Sequence, residues 1–464
     1  MRCSLVVVGT FAVAFSVSGI GVARCNAQRA TLDRIMHSDT LDNGLQVIIV
    51  ENHSIPIVTA EIVFRAGAMT QAEEDQGVPH LFEHMLFRSY RGGLGEPFSW
   101  DAAKERAAYN GATSDEDVLY FLVAPSANTN DALGTLARLV RDAHFENADF
   151  QRERFIVMNE AQRDASDPQF NLERETDMRL WGDGFPRKNA IGDEMSLMSV
   201  TIPQLTTIFK RYYVPNNAAL IVSGDIGARE GMEMVRSHFA GWKRQANPFA
   251  SHPVAPMPAL DSSRAVVISA NVTTITLEVA WQGPSVSTDP RGTYAADVLS
   301  EIVNDDQSGF HTRLVDSGVF QEVALEYSTR AHTGPITFHG VTTAAKLTDA
   351  LTALYTELDY MAEPSYFSPA IIAAATKRRE VASVLQLENA HGLALDLAET
   401  WSVAGTDYFR SYSDNMAAMT ENDLHSYVER YLIHKPFVIA ALVPPARAAS
   451  TATILAEALG EGRQ

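Results

Sequence analysis

Apolar residues in this chain fall into short runs whose period switches between two and about three and a half. Leu41 to Val50 begins with the turn Asp42-Asn43-Gly44 and continues as the apolar run of a strand. Pro56 to Phe64 sets Val58, Ala60, Ile62 and Phe64 at alternate positions, which predicts a half-buried partner strand. Tyr109–Ser114 reads as a turn before a third strand, Val118 to Ala124. Helical spacing then predicts helices over 129–143 and 147–164, and another from Ile202 to Tyr213. Pro215-Asn216-Asn217 leads into a strand from Ala218 to Asp225. Residues 245–262 follow neither period and carry Pro248, Pro253, Pro256 and Pro258, the marks of a linker. Beyond it the pattern returns. Thr201-Ile202-Pro203-Gln204-Leu205 through Arg211-Tyr212 has a counterpart 219 residues on, Thr420-Glu421-Asn422-Asp423-Leu424 through Arg430-Tyr431, followed by a strand from Phe437 to Leu442. This internal symmetry predicts two related domains.

One element organises the rest. His80-Leu81-Phe82-Glu83-His84 follows Pro79, a residue suited to a first helical turn, and precedes Met85, Leu86 and Phe87. On a helix, His80, Glu83 and His84 share one face, while the apolar residues bury the others. A buried polar face is costly unless something satisfies it, and a divalent metal would. H-x-x-E-H is the inverted zinc motif, in which the two histidines are ligands and the glutamate is the base that deprotonates water. A third ligand is required. The best acidic helix downstream, Asp149–Glu160, offers Glu153 and Glu160, seven residues apart on one face and about 10 Å apart along the axis. One metal cannot take both, and position alone does not choose between them.

His80–His84 followed by Glu153-Arg154-Phe155-Ile156-Val157-Met158-Asn159-Glu160 resembles the insulinase/pitrilysin family of inverted zinc metallopeptidases, which includes the mitochondrial processing peptidase. The resemblance implies an α+β fold of two structurally related domains, each a mainly antiparallel sheet packed with helices. It divides the chain into an N-terminal zinc peptidase domain (28–244), the linker 245–262, and a homologous domain (263–464) without the metal motif. It implies one Zn2+ per chain on His80, His84 and Glu160, with Glu83 as general base and Glu153 needed for activity without touching zinc. Asn110 matches the family's N-A-x-T-S segment, an edge strand that binds substrate backbone, although Gly111 replaces the alanine and should loosen the backbone there. In the second domain Gly309–Val315 resembles the family's G-x-x-S-R-L segment. The Arg and Tyr that often follow in the family align with Val315 and Gln321, and Arg313 aligns with an ordinary structural arginine. The resemblance therefore implies a peptidase acting on unfolded peptides, paired with a second two-domain family member as a heterodimer or acting as a homodimer. The alternatives within the family are a catalytic half inactive without its partner and a non-catalytic structural subunit.

Composition adds three constraints. The chain has 464 residues and a formal net charge of −20, which excludes a general nucleic-acid binder and is compatible with cationic peptides as substrates. Arg2 and the apolar run Leu5–Val22 read as a secretory signal peptide over 1–27, cleaved after Ala27 or after Ala23. Arg24 before Cys25 spoils a lipoprotein-type site. An uncleaved anchor is the alternative to cleavage. The expected location is periplasmic or secreted, with no stable membrane insertion after cleavage. Cleavage after Ala27 also removes the two cysteines, Cys3 and Cys25, and leaves no disulfide.

Overall fold

A computed structural model of the chain describes residues 31–92 and 95–460. The segment read as a signal peptide lies outside them. Among the described residues no helix is long and apolar enough to cross a membrane.

Two mixed sheets carry the fold. The first contains β1 (Met36–Thr40), β2 (Gln46–Glu51), β3 (Ile57–Phe64), β4 (Ala108–Thr113), β5 (Val118–Pro125) and β6 (Ala218–Gly224), in the order β1-β2-β6-β3-β5-β4. The second contains β7 (Arg264–Ser269), β8 (Ile275–Gln282), β9 (Glu322–Tyr327), β10 (Pro335–Thr342) and β11 (Val438–Val443), in the order β7-β11-β8-β10-β9. With β1 set aside, the orders superpose strand for strand. In each sheet one pair is parallel, β2 with β6 and β7 with β11, and the remaining pairs are antiparallel. The repeat seen in the sequence is therefore a repeat of topology. The helices Ile202–Tyr212 and Glu421–Tyr431 even begin alike, each with a capping box, Thr201 with Gln204 and Thr420 with Asp423.

Alternation decides which face of each sheet meets what. Val58, Ala60, Ile62 and Phe64 of β3 point to the front, where Val78, Leu81, Phe82, Met85 and Leu86 of the histidine helix (Val78–Ser89) join them in one core. The back face is covered by the other half of the chain. Leu393, Ala394, Leu397, Ala398 and Trp401 of the helix Ala390–Val403 pack on Ile48, Val63, Leu119 and Ile221. Reciprocally, Leu172, Leu180 and Trp181 of the helix Pro168–Trp181 pack on Ala280, Val438, Ala440 and Leu442 of the second sheet. Each half thus lends a helix to the other.

The hairpins at equivalent edges also clasp. The β4–β5 turn contributes Asp115, which pairs with Lys188 at 2.7 Å and with Arg330 of the β9–β10 loop at 2.6 Å. Beside it Glu116 accepts hydrogen bonds from the backbone N–H groups of Ala331 and His332.

Two local expectations change. Tyr109–Thr113 is an edge strand rather than a turn, because its backbone pairs with β5 from Ala108 to Thr113. The proline-rich segment includes a helical turn, Pro248–Ser251, and its Met257 and Leu260 pack beside Trp181. Proline sets no period of its own, so neither feature shows in the pattern.

Candidate metal centre

The histidine helix starts where a glycine is required. Gly77 sits at φ +82°, and a Cβ there would lie 2.9 Å from the Ile191 carbonyl oxygen and 3.0 Å from the Gly192 Cα. Its N–H donates to Gln71 Oε1 at 2.7 Å, and Gln71 Nε2 donates to the carbonyls of Pro186 and Asn189. The helix start is fixed in this way, and the polar face of the helix turns toward the acidic helix Asn147–Asp164. That helix buries Phe150, Glu153 and Val157.

Three ligand-type atoms converge between the two helices. Glu160 Oε2 lies 3.8 Å from His80 Nε2 and 3.5 Å from His84 Nε2. The two imidazole rings stand nearly perpendicular, 5.0 Å apart. One atom from each of His80, His84 and Glu160 falls within 4.8 Å of the others. Ligands on a tetrahedral zinc at about 2.0–2.2 Å are themselves about 3.3–3.5 Å apart, so the donor set fits such an ion with little adjustment.

The two glutamates of the acidic helix do different things. Glu153 lies on the far side of His84, with Oε2 at 3.3 Å from Nδ1, and its Oε1 accepts from Arg88 Nε at 2.6 Å. Burial opposes charge on Glu153, but the hydrogen bonds from His84 and Arg88 outweigh it and hold the carboxyl below its ordinary range. A carboxylate in that position can only accept, so His84 carries its proton on Nδ1 and keeps the Nε2 lone pair toward Glu160. Burial likewise opposes protonation of His84, yet the carboxylates of Glu153, Glu83 and Glu160 outweigh it and make the ring more basic than usual. For His80, burial and then the neighbouring His84 lower the pKa to about 4, which leaves a neutral ring with a lone pair to give.

Glu83 is buried beside this group. Thr113 Oγ1 donates to its Oε2 at 3.0 Å. Burial first, and Glu160 in addition, raise its pKa above the usual carboxylate value. Gly111 makes the position possible. A Cβ on residue 111 would lie 2.7 Å from Glu83 Oε1, so the glycine acts by leaving room for the carboxylate. Loosening of the backbone is not its evident role, because Gly111 is paired in register with Tyr120. Asn110 lies next to it on β4, exposed, and lines the same cleft of about 860 Å³ as the metal-ligand residues. In the second half Arg313 is bound by the buried Glu357 and lies over the Tyr360 ring, a structural arrangement.

Sequence reasoning overlooked Thr113 and Arg88. Arg88 carried a signal, since it follows His84 by one helical turn and shares its face. Thr113 carried none, because only strand pairing brings it to Glu83.

The model of the family described as Insulinase (Peptidase family M16) matches residues 46–183, and that of the Peptidase M16 inactive domain matches residues 199–378. Zinc protease PqqE of Helicobacter pylori is 23% identical over 290 residues, 60% of this chain and 63% of that protein. A probable mitochondrial-processing peptidase subunit beta of Arabidopsis thaliana is 26% identical over 261 residues, 54% of this chain and 47% of that one. Subunit 1 of the cytochrome b-c1 complex of Bos taurus is 24% identical over 205 residues, 43% of this chain and 42% of that one. The chain thus spans about half the length of these curated relatives. In fold it resembles a protease from Helicobacter pylori, with a TM-score of 0.78 at 19% identity over 88% of this chain and 99% of that one. It also resembles the periplasmic protease PqqL of Escherichia coli, with a TM-score of 0.76 at 19% identity over 93% of this chain and 50% of that one. With both halves matched in order, the chain belongs to the insulinase family of peptidases, family M16.

Proposed function

We propose that this chain is a zinc-dependent endopeptidase of unfolded peptides, working in the periplasm or after secretion. The observation that carries the reading is the convergence of His80 Nε2, His84 Nε2 and Glu160 Oε2, with Glu83 and the edge strand β4 on the same cleft. A zinc ion on those three residues would supply a Lewis acid for the scissile carbonyl and a water of lowered pKa. Glu83, steadied by Thr113, takes the proton of the attacking water and returns it to the leaving amine nitrogen. Glu153 keeps His84 in the tautomer whose Nε2 is available, and Arg88 keeps Glu153 charged. The unpaired edge of β4 offers backbone groups to an extended peptide, and Asn110 lies on that edge. The relatives named zinc proteases and the periplasmic relative support the activity and the location.

A second reading concerns completeness. The described residues lining the cleft all come from the first half, and Val315 and Gln321 stand where many family members carry Arg and Tyr. The opposite wall would then come from a second two-domain subunit, in a homodimer or a heterodimer. The test is cleavage of a fluorogenic peptide library by the purified chain, with zinc measured on the same sample. One zinc per chain with chelator-sensitive cleavage is expected, and Glu83→Gln should keep the zinc and lose about 10³-fold or more in turnover. Retained turnover in that variant would overturn the mechanism. Zinc without cleavage would favour the incomplete-half reading, and no zinc would favour a structural subunit.

A further inference from the structure

The cleft carries charge of the opposite sign to the molecule. The chain has a net charge of −20, yet four arginines, Arg88, Arg91, Arg152 and Arg163, line the cleft. Its acidic residues are largely engaged. Glu83 and Glu160 face the metal position, and Glu153 is buried between His84 and Arg88. Two acids remain on the wall. Asp149 is shared by Arg91 at 3.5 Å and Arg152 at 3.6 Å, and Asp164 sits 3.2 Å from Arg163. These carboxylates are recessed, with side chains 20% and 30% exposed, while Arg152 and Arg163 are 61% and 73% exposed. Zinc with Glu83 and Glu160 is neutral in sum, as is Arg88 with Glu153. The wall is left with one surplus positive charge, and its outermost groups are guanidinium ions.

Their placement relates them to a bound peptide. Arg163 follows Glu160 by three residues, about 4.5 Å along the helix, and Arg152 precedes it by eight, about 12 Å. They flank the metal ligand on opposite sides. An extended peptide advances about 3.3 Å per residue. Along β4 it would therefore bring a side chain one or two positions from the reacting bond toward Arg163, and one about four positions away on the other side toward Arg152.

We propose that the cleft selects peptides with aspartate or glutamate flanking the scissile bond, and that Arg152 and Arg163 are the residues that read them. This rests on the peptidase reading for the words scissile bond, but the charge selectivity can be measured without turnover. The net charge alone favoured cationic peptides; the local field reverses that expectation, because exposed charges act over about one Debye length, roughly 8–10 Å, rather than across the molecule.

The experiment uses labelled extended peptides of equal length that differ only in Asp/Glu or Lys/Arg at the flanking positions. Their binding to the zinc-supplemented Glu83→Gln protein is followed by fluorescence anisotropy at low and at physiological salt. The acidic peptide should bind about tenfold more tightly than the basic one at low salt, and the gap should narrow as salt rises. Arg152→Gln with Arg163→Gln should remove most of the preference, and Arg152→Glu with Arg163→Glu should reverse it. Both pairs of side chains are exposed, and unchanged far-UV circular dichroism would confirm that the variants fold. Equal binding, or a preference for the basic peptide, overturns the proposal. The same peptides given to the unmutated chain separate the two readings. Acidic preference in binding without cleavage defeats the hydrolytic reading alone, and cleavage without acidic preference defeats this proposal alone.

Discussion

Gly111 and Glu83 belong to different elements, and the fit between them depends on one missing carbon. A Cβ at position 111 would meet Glu83 Oε1 at 2.7 Å, closer than carbon and oxygen tolerate, so the carboxylate would have to turn away from Thr113. Gly111→Ala is therefore expected to keep bound zinc at one per chain and to lower kcat by about 10–100-fold, as loss of a positioned base does. Steady-state kinetics with metal analysis on the same protein checks this; a kcat within twofold of the parent would show that Glu83 has room elsewhere. Glu153 acts at the next remove. Glu153→Ala takes the acceptor from His84 Nδ1 and the partner from Arg88, and zinc affinity should fall about 10–100-fold by competition against a chelating dye. Unchanged affinity would mean that the tautomer of His84 is set by something else.

At the scale of elements, the exchanged helices cover two buried glutamates. Glu61 of β3 and Glu278 of β8 hold equivalent places in their sheets, opposite Ile221 and Ala440, which are 219 residues apart. Glu61 is fully buried, and neither of its carboxyl oxygens has a hydrogen-bond partner among the described residues. Burial first, then Glu399, Asp117 and Asp396, push its pKa up to about 8; burial and the acids of the helix Pro168–Trp181 do the same to Glu278. The sign follows from linkage. A carboxyl near 4.5 when unfolded and near 8 when folded holds its proton more tightly in the folded state. Stability from this group is therefore full below pH 4.5, falls as pH rises, and is lost once pH passes about 8. Glu61→Gln should flatten that fall and stabilise the protein above pH 8 by at least about 1 kcal/mol. Urea unfolding at several pH values measures it, and a variant with the parent's pH slope would remove Glu61 as the cause.

At the scale of the whole molecule, neither half is closed by its own residues. The back of the first sheet is covered by Leu393, Leu397 and Trp401, and the back of the second by Leu172, Leu180 and Trp181. Trp401 is also tied to the first half, by its indole N–H to Gln46 and by Arg65 over its ring. The Lys188–Asp115–Arg330 cluster adds a buried ionic joint, in which Lys188 and Arg330 overcome the burial of Asp115 and keep it charged. A fragment ending at residue 262 would expose an apolar sheet face of the kind that aggregates. It is expected to be insoluble alone and to be rescued by co-expression with residues 263–464. The intact chain should unfold in a single transition by calorimetry; two well-separated transitions would show that the exchange couples the halves only weakly.

The sequence by itself determined whatever follows a local period or a short motif. The metal-ligand residues and Glu83 stand in one helix and one acidic segment, so helical spacing alone placed His80, Glu83 and His84 on a common face. The strands β2, β3, β5 and β6, the two capping boxes and the repeat at 219 residues were legible for the same reason, because alternation and capping act within a few residues. Even so, spacing left Glu153 and Glu160 undecided. The tertiary structure alone decided that Glu160 approaches both Nε2 atoms while Glu153 turns to Nδ1 of His84. It alone brought Thr113 and Gly111 of β4 against Glu83, exchanged helices between the halves, and gathered four arginines onto one wall of an acidic protein. These arrangements join residues from 30 to more than 350 positions apart, across helix crossings and strand pairings. No period within a segment records which segment will pack against it.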